Sequence, residues 1–249
     1  MIRAVTFDFH NTLVSGDGWL DLEIRSLAGV VIRRLVARGR LPDTAGTAAV
    51  LAETEAAYRV VRAQAMASGR ETVAVAGGWQ VLTALALAGD LNRRAVQGAV
   101  LAQRACLADT ALVPGATAAV AALRAGGYRL AVISSAAYAP FVRWGLARYG
   151  LTTAFPVVAT SAGTGYYKSD PRLYAWALRR LGVAATAAVH VGDHPRWDVQ
   201  GAQAAGMRAI LFDRGPAARS SAIPAPDCRP DATIQDLAEL PGVLHLLAA

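Results

Sequence analysis

Ile2-Arg3-Ala4-Val5-Thr6-Phe7-Asp8-Phe9-His10-Asn11-Thr12 decides how the rest of the chain is read. Residues 2–7 form a short, mostly apolar run that ends on the Asp8 carboxylate, and Asn11 followed by Gly16-Asp17-Gly18 breaks the pattern. Such a run is a buried strand feeding a functional loop. Because Asp8 interrupts what would be the apolar region of a leader, the N-terminus reads as a strand and not as a signal peptide.

Downstream the texture changes twice. From about residue 19 to 110 the chain is rich in Ala, Leu and Val at helical spacing, as in Leu20, Ile24, Leu27, Val31 and Leu35, with no strand pattern. After Pro114-Gly115 strands and helices alternate. The sequence predicts a helix over 116–125 with Gly126-Gly127 as its stop, strands over 129–133, 157–159, 187–191 and 208–212, and helices over 171–181 and 199–205. This alternation implies βαβ units and a parallel sheet covered on both faces. The expected architecture is therefore an α/β core, doubly wound and Rossmann-like, formed by 1–14 and 111–249. An α-helical domain over 15–110 is inserted into it. Residues 215–230, with Pro216, Pro224, Pro226 and Pro230, read as a loop.

Composition narrows the function classes. The 249 residues are 54% hydrophobic and 17% charged, which excludes a disordered chain and a disulfide-stapled miniprotein. The formal net charge is +7, yet the arginines are dispersed and the densest stretch, Arg33-Arg34 through Arg38 and Arg40, reads as a solvated helix face. No basic stripe or zinc-finger spacing supports a nucleic-acid partner. The longest uncharged stretch, Thr72 to Gly89, contains Gly77-Gly78 and Gln80 and reads as a buried helix rather than a membrane span. Cys106 and Cys228 fit neither a CxxC pair nor a disulfide framework. A cytoplasmic protein acting on a small anionic molecule is the expectation. Of the 25 basic residues 24 are arginine, so Lys168 is the only lysine. An ammonium is a compact point charge where guanidinium is a wide fork, so a single lysine in an arginine-biased chain marks a candidate tight site.

In a doubly wound sheet ligands bind at the carboxyl ends of the strands. Four segments end there in polar residues: Asp8 to Thr12, Ser134-Ser135, the loop reaching Lys168, and Gly192-Asp193 with Asp198. Together they offer a carboxylate nucleophile, a lysine to offset charge, hydroxyl donors for phosphate oxygens and an aspartate cluster for octahedral magnesium. That set suits phosphoryl transfer, where positioning and charge neutralisation dominate.

Asp8-Phe9-His10-Asn11-Thr12 resembles the DxDxT motif of the haloacid dehalogenase superfamily. Ser134 resembles its second motif, Lys168-Ser169-Asp170-Pro171 its third and Gly192-Asp193 through Asp198 its fourth, all in the family's order. The resemblance covers the core; the helical domain matches the family's inserted cap in placement and texture. It implies that Asp8 attacks phosphorus, and that Mg2+ is held by Asp8, the main-chain carbonyl of His10, Asp193 and Asp198, with Asp198 supporting the metal shell or Lys168. It also implies that Ser134 and Lys168 hold phosphoryl oxygens and that Thr12 steadies the loop. Asn11, Thr12 and Ser135 are the expected substrate-binding groups.

Three positions depart from the family. His10 stands where family phosphatases carry the aspartate that protonates the leaving alcohol and activates water. Imidazole, with an unperturbed pKa of about 6.5, can do both. Ser169 replaces a frequent proline, and Gly163 a frequent glutamate. The leading expectation is a magnesium-dependent phosphatase of a small phosphorylated metabolite. The alternatives are a metal-free 2-haloacid dehalogenase, to which a non-acidic residue 10 points and against which Asp193 argues, and a catalytically silent phosphate-binding protein.

Overall fold

The computed structural model describes residues 1–23, 27–41, 43–73, 76–78, 80, 83, 94, 96–99, 101, 103–215 and 228–248. The strands are β1 (Ala4–Phe7), β2 (Val14–Ser15), β3 (Ala111–Leu112), β4 (Arg129–Ser134), β5 (Val157–Thr160), β6 (Ala188–Gly192), β7 (Arg208–Phe212) and β8 (Ala232–Ile234). Six of them form one sheet in the order β5-β4-β1-β6-β7-β8. Every neighbouring pair in it is parallel. The chain builds outward from β1 on one side and then crosses to build outward on the other. This is the switch in strand order that opens a crevice at the carboxyl edge.

Each central strand is buried on both sides because both faces are covered. Val5 and Phe7 join Leu130, Val132, Val189 and Val191 in one core, packed against the helices α4 (Ala116–Ala125) and α5 (Ala139–Arg148). Ala4, Ala131, Ile133 and Ala188 face the opposite layer, packed against α7 (Pro171–Leu181) and α8 (Gly201–Ala204). A four-residue helix, α6 (Ser161–Thr164), follows β5, and α9 (Leu240–Ala248) ends the described chain. Helix α7 is bounded by local chemistry. The Asp170 side chain accepts from Arg172 N, Pro171 occupies the first turn, and Gly182 closes the helix at φ 65°.

Between β2 and β3 the named elements are helical: α1 (Asp17–Asp21), α2 (Leu27–Ala37), α3 (Ala45–Ser68) and a 3-10 stretch, Gln103–Asp109. The insertion leaves and re-enters the core through an antiparallel pair, Val14 opposite Leu112 and Ser15 opposite Ala111. In α2 the buried face is Leu27, Ala28, Val31, Ile32 and Leu35, while Arg33, Arg38 and Arg40 are exposed, as the spacing predicts.

The described parts of the periodic run from Leu20 to Leu35 are helical, α1 to Asp21 and α2 from Leu27, with residues 24–26 outside the described residues. One expectation needs correction. The helix expected over 199–205 begins earlier, as a π-helical turn Pro195–Gln200 that passes into α8. His194 caps it by accepting from Arg196 N and Trp197 N, and Pro195 sits in its first turn. The loop expectation over 215–230 and the helix expectation over 72–89 fall largely outside the described residues. Among the described residues no helix is long and apolar enough to cross a membrane.

Candidate active site

The crevice above β1 collects the residues that the strand ends promise. Asp8 follows β1 directly, its N–H donating to Val191 O at 2.8 Å, which pins it to β6. The turn beyond it closes with Leu13 N and Val14 N both donating to Phe9 O. Asn11 takes φ 61°, a left-handed conformation that asparagine tolerates far better than a branched residue.

Three carboxylates meet here. Asp8, Asp193 and Asp198 each place one carboxylate oxygen within 4.8 Å of the others. Lys168 Nζ donates to Asp8 Oδ1 at 2.5 Å and also to Asp198 Oδ1. The lysine is 3% exposed, so this ammonium is committed to the cluster. Asp198 Oδ2 accepts from His194 N at 2.9 Å. Such close approach requires glycine at 192, where a Cβ would come within 2.2 Å of Asp198 Cγ.

Electrostatics separate the three. Burial, and then the charge of Asp198, push Asp8 up to about 7 against the pull of Lys168. Burial together with Asp8 and Asp198 raises Asp193 well above the ordinary carboxylate value. Against the cost of burial, Lys168 and the hydrogen bond from His190 hold Asp198 well below it. One ammonium therefore satisfies Asp198 while Asp8 and Asp193 remain crowded by like charge. A hard divalent cation with oxygen ligands relieves that crowding, so the donor set fits magnesium.

The remaining predicted residues take distinct places. His10 Nε2 lies 3.1 Å from Gly16 O, and its ring meets Trp19 edge-on at 5.1 Å. A carbonyl only accepts, so Nε2 carries the proton and Nδ1 is the basic nitrogen of the neutral ring. Ser134 ends β4 and is buried. Ser135 Oγ accepts from Lys168 N at 3.2 Å, so it supports the lysine loop directly. Thr12 is buried, and its Oγ1 has no hydrogen-bond partner among the described residues. Tyr174 donates to Trp197 O at 2.6 Å and Tyr167 packs edge-on against Trp197 at 5.6 Å, so both are packing groups.

His190, within β6, belongs to the same cluster. It is fully buried, with Nδ1 2.8 Å from Thr6 Oγ1 and Nε2 3.2 Å from Asp198 Oδ1. The carboxylate accepts, so Nε2 is protonated and Nδ1 accepts from Thr6. Burial lowers its pKa and keeps the ring neutral. Its signal in sequence was a lone histidine in an apolar strand three residues before Asp193.

The helical insertion adds charges that no motif announced. Glu23 Oε1 accepts from Ala137 N at 2.7 Å and lies 3.8 Å from Arg62 Nη2; Arg62 Nη1 meets Glu71 Oε1 at 2.5 Å. The readable trace was Arg62 itself, a charge on the buried stripe Thr54, Tyr58, Val61, Arg62, Ala65 of α3.

A family profile described as haloacid dehalogenase-like hydrolase matches residues 2–206. The chain is 38% identical over 129 residues to the phosphoserine phosphatase of Thermus thermophilus, covering 52% of this chain and 49% of that relative. This chain thus spans about half the length of that protein. It is 29% identical over 219 residues to the glyceraldehyde 3-phosphate phosphatase of Methanothermobacter thermautotrophicus, covering 86% of each. Among solved structures, a 2-haloacid dehalogenase from Pseudomonas syringae superposes with a TM-score of 0.67 at 29% identity, over 99% of this chain and 100% of that one. A HAD phosphatase from Thermococcus onnurineus, at TM-score 0.63 and 22% identity over 98% of each chain, shares the fold.

Proposed function

The chain belongs to the haloacid dehalogenase-like hydrolases, and from that premise we propose that it is a magnesium-dependent phosphatase of a small phosphorylated molecule, with 1–14 and 111–249 as catalytic core and 15–110 as cap. The observation that carries this reading is the third carboxylate. Attack by Asp8 on carbon needs no second acidic group beside it, whereas Asp193 crowds Asp8 with a like charge that a bound cation would offset. The phosphatase names of the two relatives above support it.

In this reading Asp8, Asp193 and the main-chain carbonyl of His10 would hold a magnesium ion, with Asp198 behind them. When bound, the ion would supply charge neutralisation for the phosphoryl oxygens. Asp8 attacks phosphorus; the bond to the leaving oxygen breaks, and that oxygen takes a proton from the His10 imidazolium. Water then attacks the aspartyl-phosphate, gives a proton to His10 and releases phosphate. Ser134 and Lys168 hold the phosphoryl oxygens, with Asn11, Thr12 and Ser135 beside them. Lys168 can do so because its ammonium already lies against Asp8.

A second reading, 2-haloacid dehalogenase, is favoured by one pair of observations: the non-acidic residue at position 10 and the likeness to the Pseudomonas syringae structure. A panel of phosphate monoesters and 2-haloacids assayed with Mg2+ and with EDTA separates the two. Phosphate release that requires Mg2+ is the expected result; halide release undiminished by EDTA would reverse the assignment.

A further inference from the structure

Lys168 sits on a loop that the helical insertion grips from both sides. Tyr167 N donates to Gly69 O at 2.9 Å and Glu71 N to Gly165 O at 3.1 Å, which makes Arg70 and Tyr166 an antiparallel bridge between insertion and core. Ser169 Oγ donates to Met66 O at 2.8 Å. Residues 165, 167 and 169 thus bond to the insertion, while Lys168 between them donates its N–H to Ser135 and its ammonium to Asp8 and Asp198.

Side chains hold the grip in register. Glu71 Oε2 accepts from Ser161 Oγ at 2.5 Å, at the carboxyl end of β5, while Oε1 pairs with Arg62. Arg62 Nη1 also donates to Thr72 O at 3.1 Å, so the guanidinium fixes both ends of the Glu71–Thr72 turn. Gly69 sets the distance: it closes α3 at φ 70°, and a Cβ there would meet Asp170 Cβ at 3.0 Å. Three hydrogen bonds from the insertion thus flank one lysine, and a fourth ties the same segment to the end of β5.

We propose that the segment 66–72 of the insertion is a positioning element for Lys168. Glu71 is its anchoring residue, bridging Arg62 and Ser161, so that the lysine is held against Asp8 and Asp198 only while the insertion is docked. What the positioned lysine does rests on the phosphatase reading. The grip itself can be measured without turnover, because Lys168 is the only lysine in the chain. An amine-acylating reagent can modify only Lys168 and the Met1 amine, and Met1 is 98% exposed, so the N-terminus serves as internal reference.

The test compares Lys168 acylation, read by mass spectrometry, in the full chain and in Ser161→Ala, Gly69→Ala and Ser161→Thr. Loss of one hydrogen bond in the grip should speed Lys168 labelling about fivefold relative to Met1 in Ser161→Ala. Gly69→Ala should move it in the same direction, and Ser161→Thr, which keeps the hydroxyl, should restore protection. For p-nitrophenyl phosphate, kcat should fall in the same variants with KM within about twofold, as expected for a misplaced group rather than a lost binding contact. Labelling unchanged in both Ser161→Ala and Gly69→Ala would overturn the inference. A wild-type chain that releases no phosphate would sink the phosphatase reading alone.

Discussion

The molecule buries two charge clusters, and they solve the same problem differently. In the core, Asp8, Asp193 and Asp198 share one lysine; in the insertion, Glu23 and Glu71 share one arginine. The insertion's cluster is sealed. Glu23 is 2% exposed and Arg62 1%, and each carboxylate has a second donor from the core, Ala137 N or Ser161 Oγ. The guanidinium fork suits two carboxylates on different segments, whereas the core's point-charge ammonium suits a crevice too narrow for a fork. The core cluster is also open at one side, because Asp193 is only half-buried. A sealed cluster can shed excess charge only by taking up a proton; an open one can recruit a cation and a substrate.

The largest effect that could break this contrast is at Asp8. Asp8→Asn should lower phosphate release by at least about 10⁴-fold, as loss of a nucleophile does. A variant retaining a tenth of the wild-type rate would move the chemistry out of the core cluster. His10→Ala should cost about 10²–10⁴-fold in phosphate release. A wild-type rate in that variant would strip His10 of its proton-transfer role.

Charge-conserving exchanges sharpen the contrast further. Lys168→Arg should cost about 10²–10³-fold in kcat, since the ammonium acts on reacting charge. Arg62→Lys should act chiefly on the fold, lowering stability by about 1–3 kcal/mol through lost bonds to Glu71 and Thr72. Chemical denaturation and steady-state kinetics on the two variants would show whether the clusters divide function from fold in this way.

The last expected signal is the pH dependence of the sealed cluster. Burial pushes Glu23 from 4.5 up to about 7, against the pull of Arg62. The folded chain therefore binds this proton more tightly than the unfolded chain. The stability it contributes is complete below pH 4.5 and is lost as pH rises to about 7, a decline of about 3 kcal/mol. Glu23→Gln should flatten that slope in unfolding curves at pH 5 and 7.5. An equal slope in both proteins would place the burden elsewhere.

The contrast also explains what could be read from sequence. Asp8, Ser134 and Asp193 were legible because each ends a strand of the parallel sheet, so periodicity alone carries them to one edge. Lys168 stands out by composition, and only the motif Lys168-Ser169-Asp170-Pro171 gives it a place in the site. Glu23, Arg62 and Glu71 were not, because their meaning lies in partners far along the chain: Glu23 and Ala137 are separated by 114 positions, Glu71 and Ser161 by 90. Helical periodicity records which side of α3 is buried; it does not record that an arginine on that side has two carboxylates waiting. The start of the helix at Pro195 is not legible from periodicity, because the apolar pattern runs only from Val199 to Ala205 while the turn before it is set by the His194 cap.

The antiparallel pair β2–β3 has a mechanical consequence. Its strands lie about 4.8 Å apart, so the chain leaves the core and comes back at adjacent points. To the sheet, everything between is a detour of almost no span, and its length can change at a loop-closure cost that grows only logarithmically. The doorway is thus indifferent to what stands behind it. Identity is imposed at the far end of the detour, where 66–72 touches the loop of the one lysine.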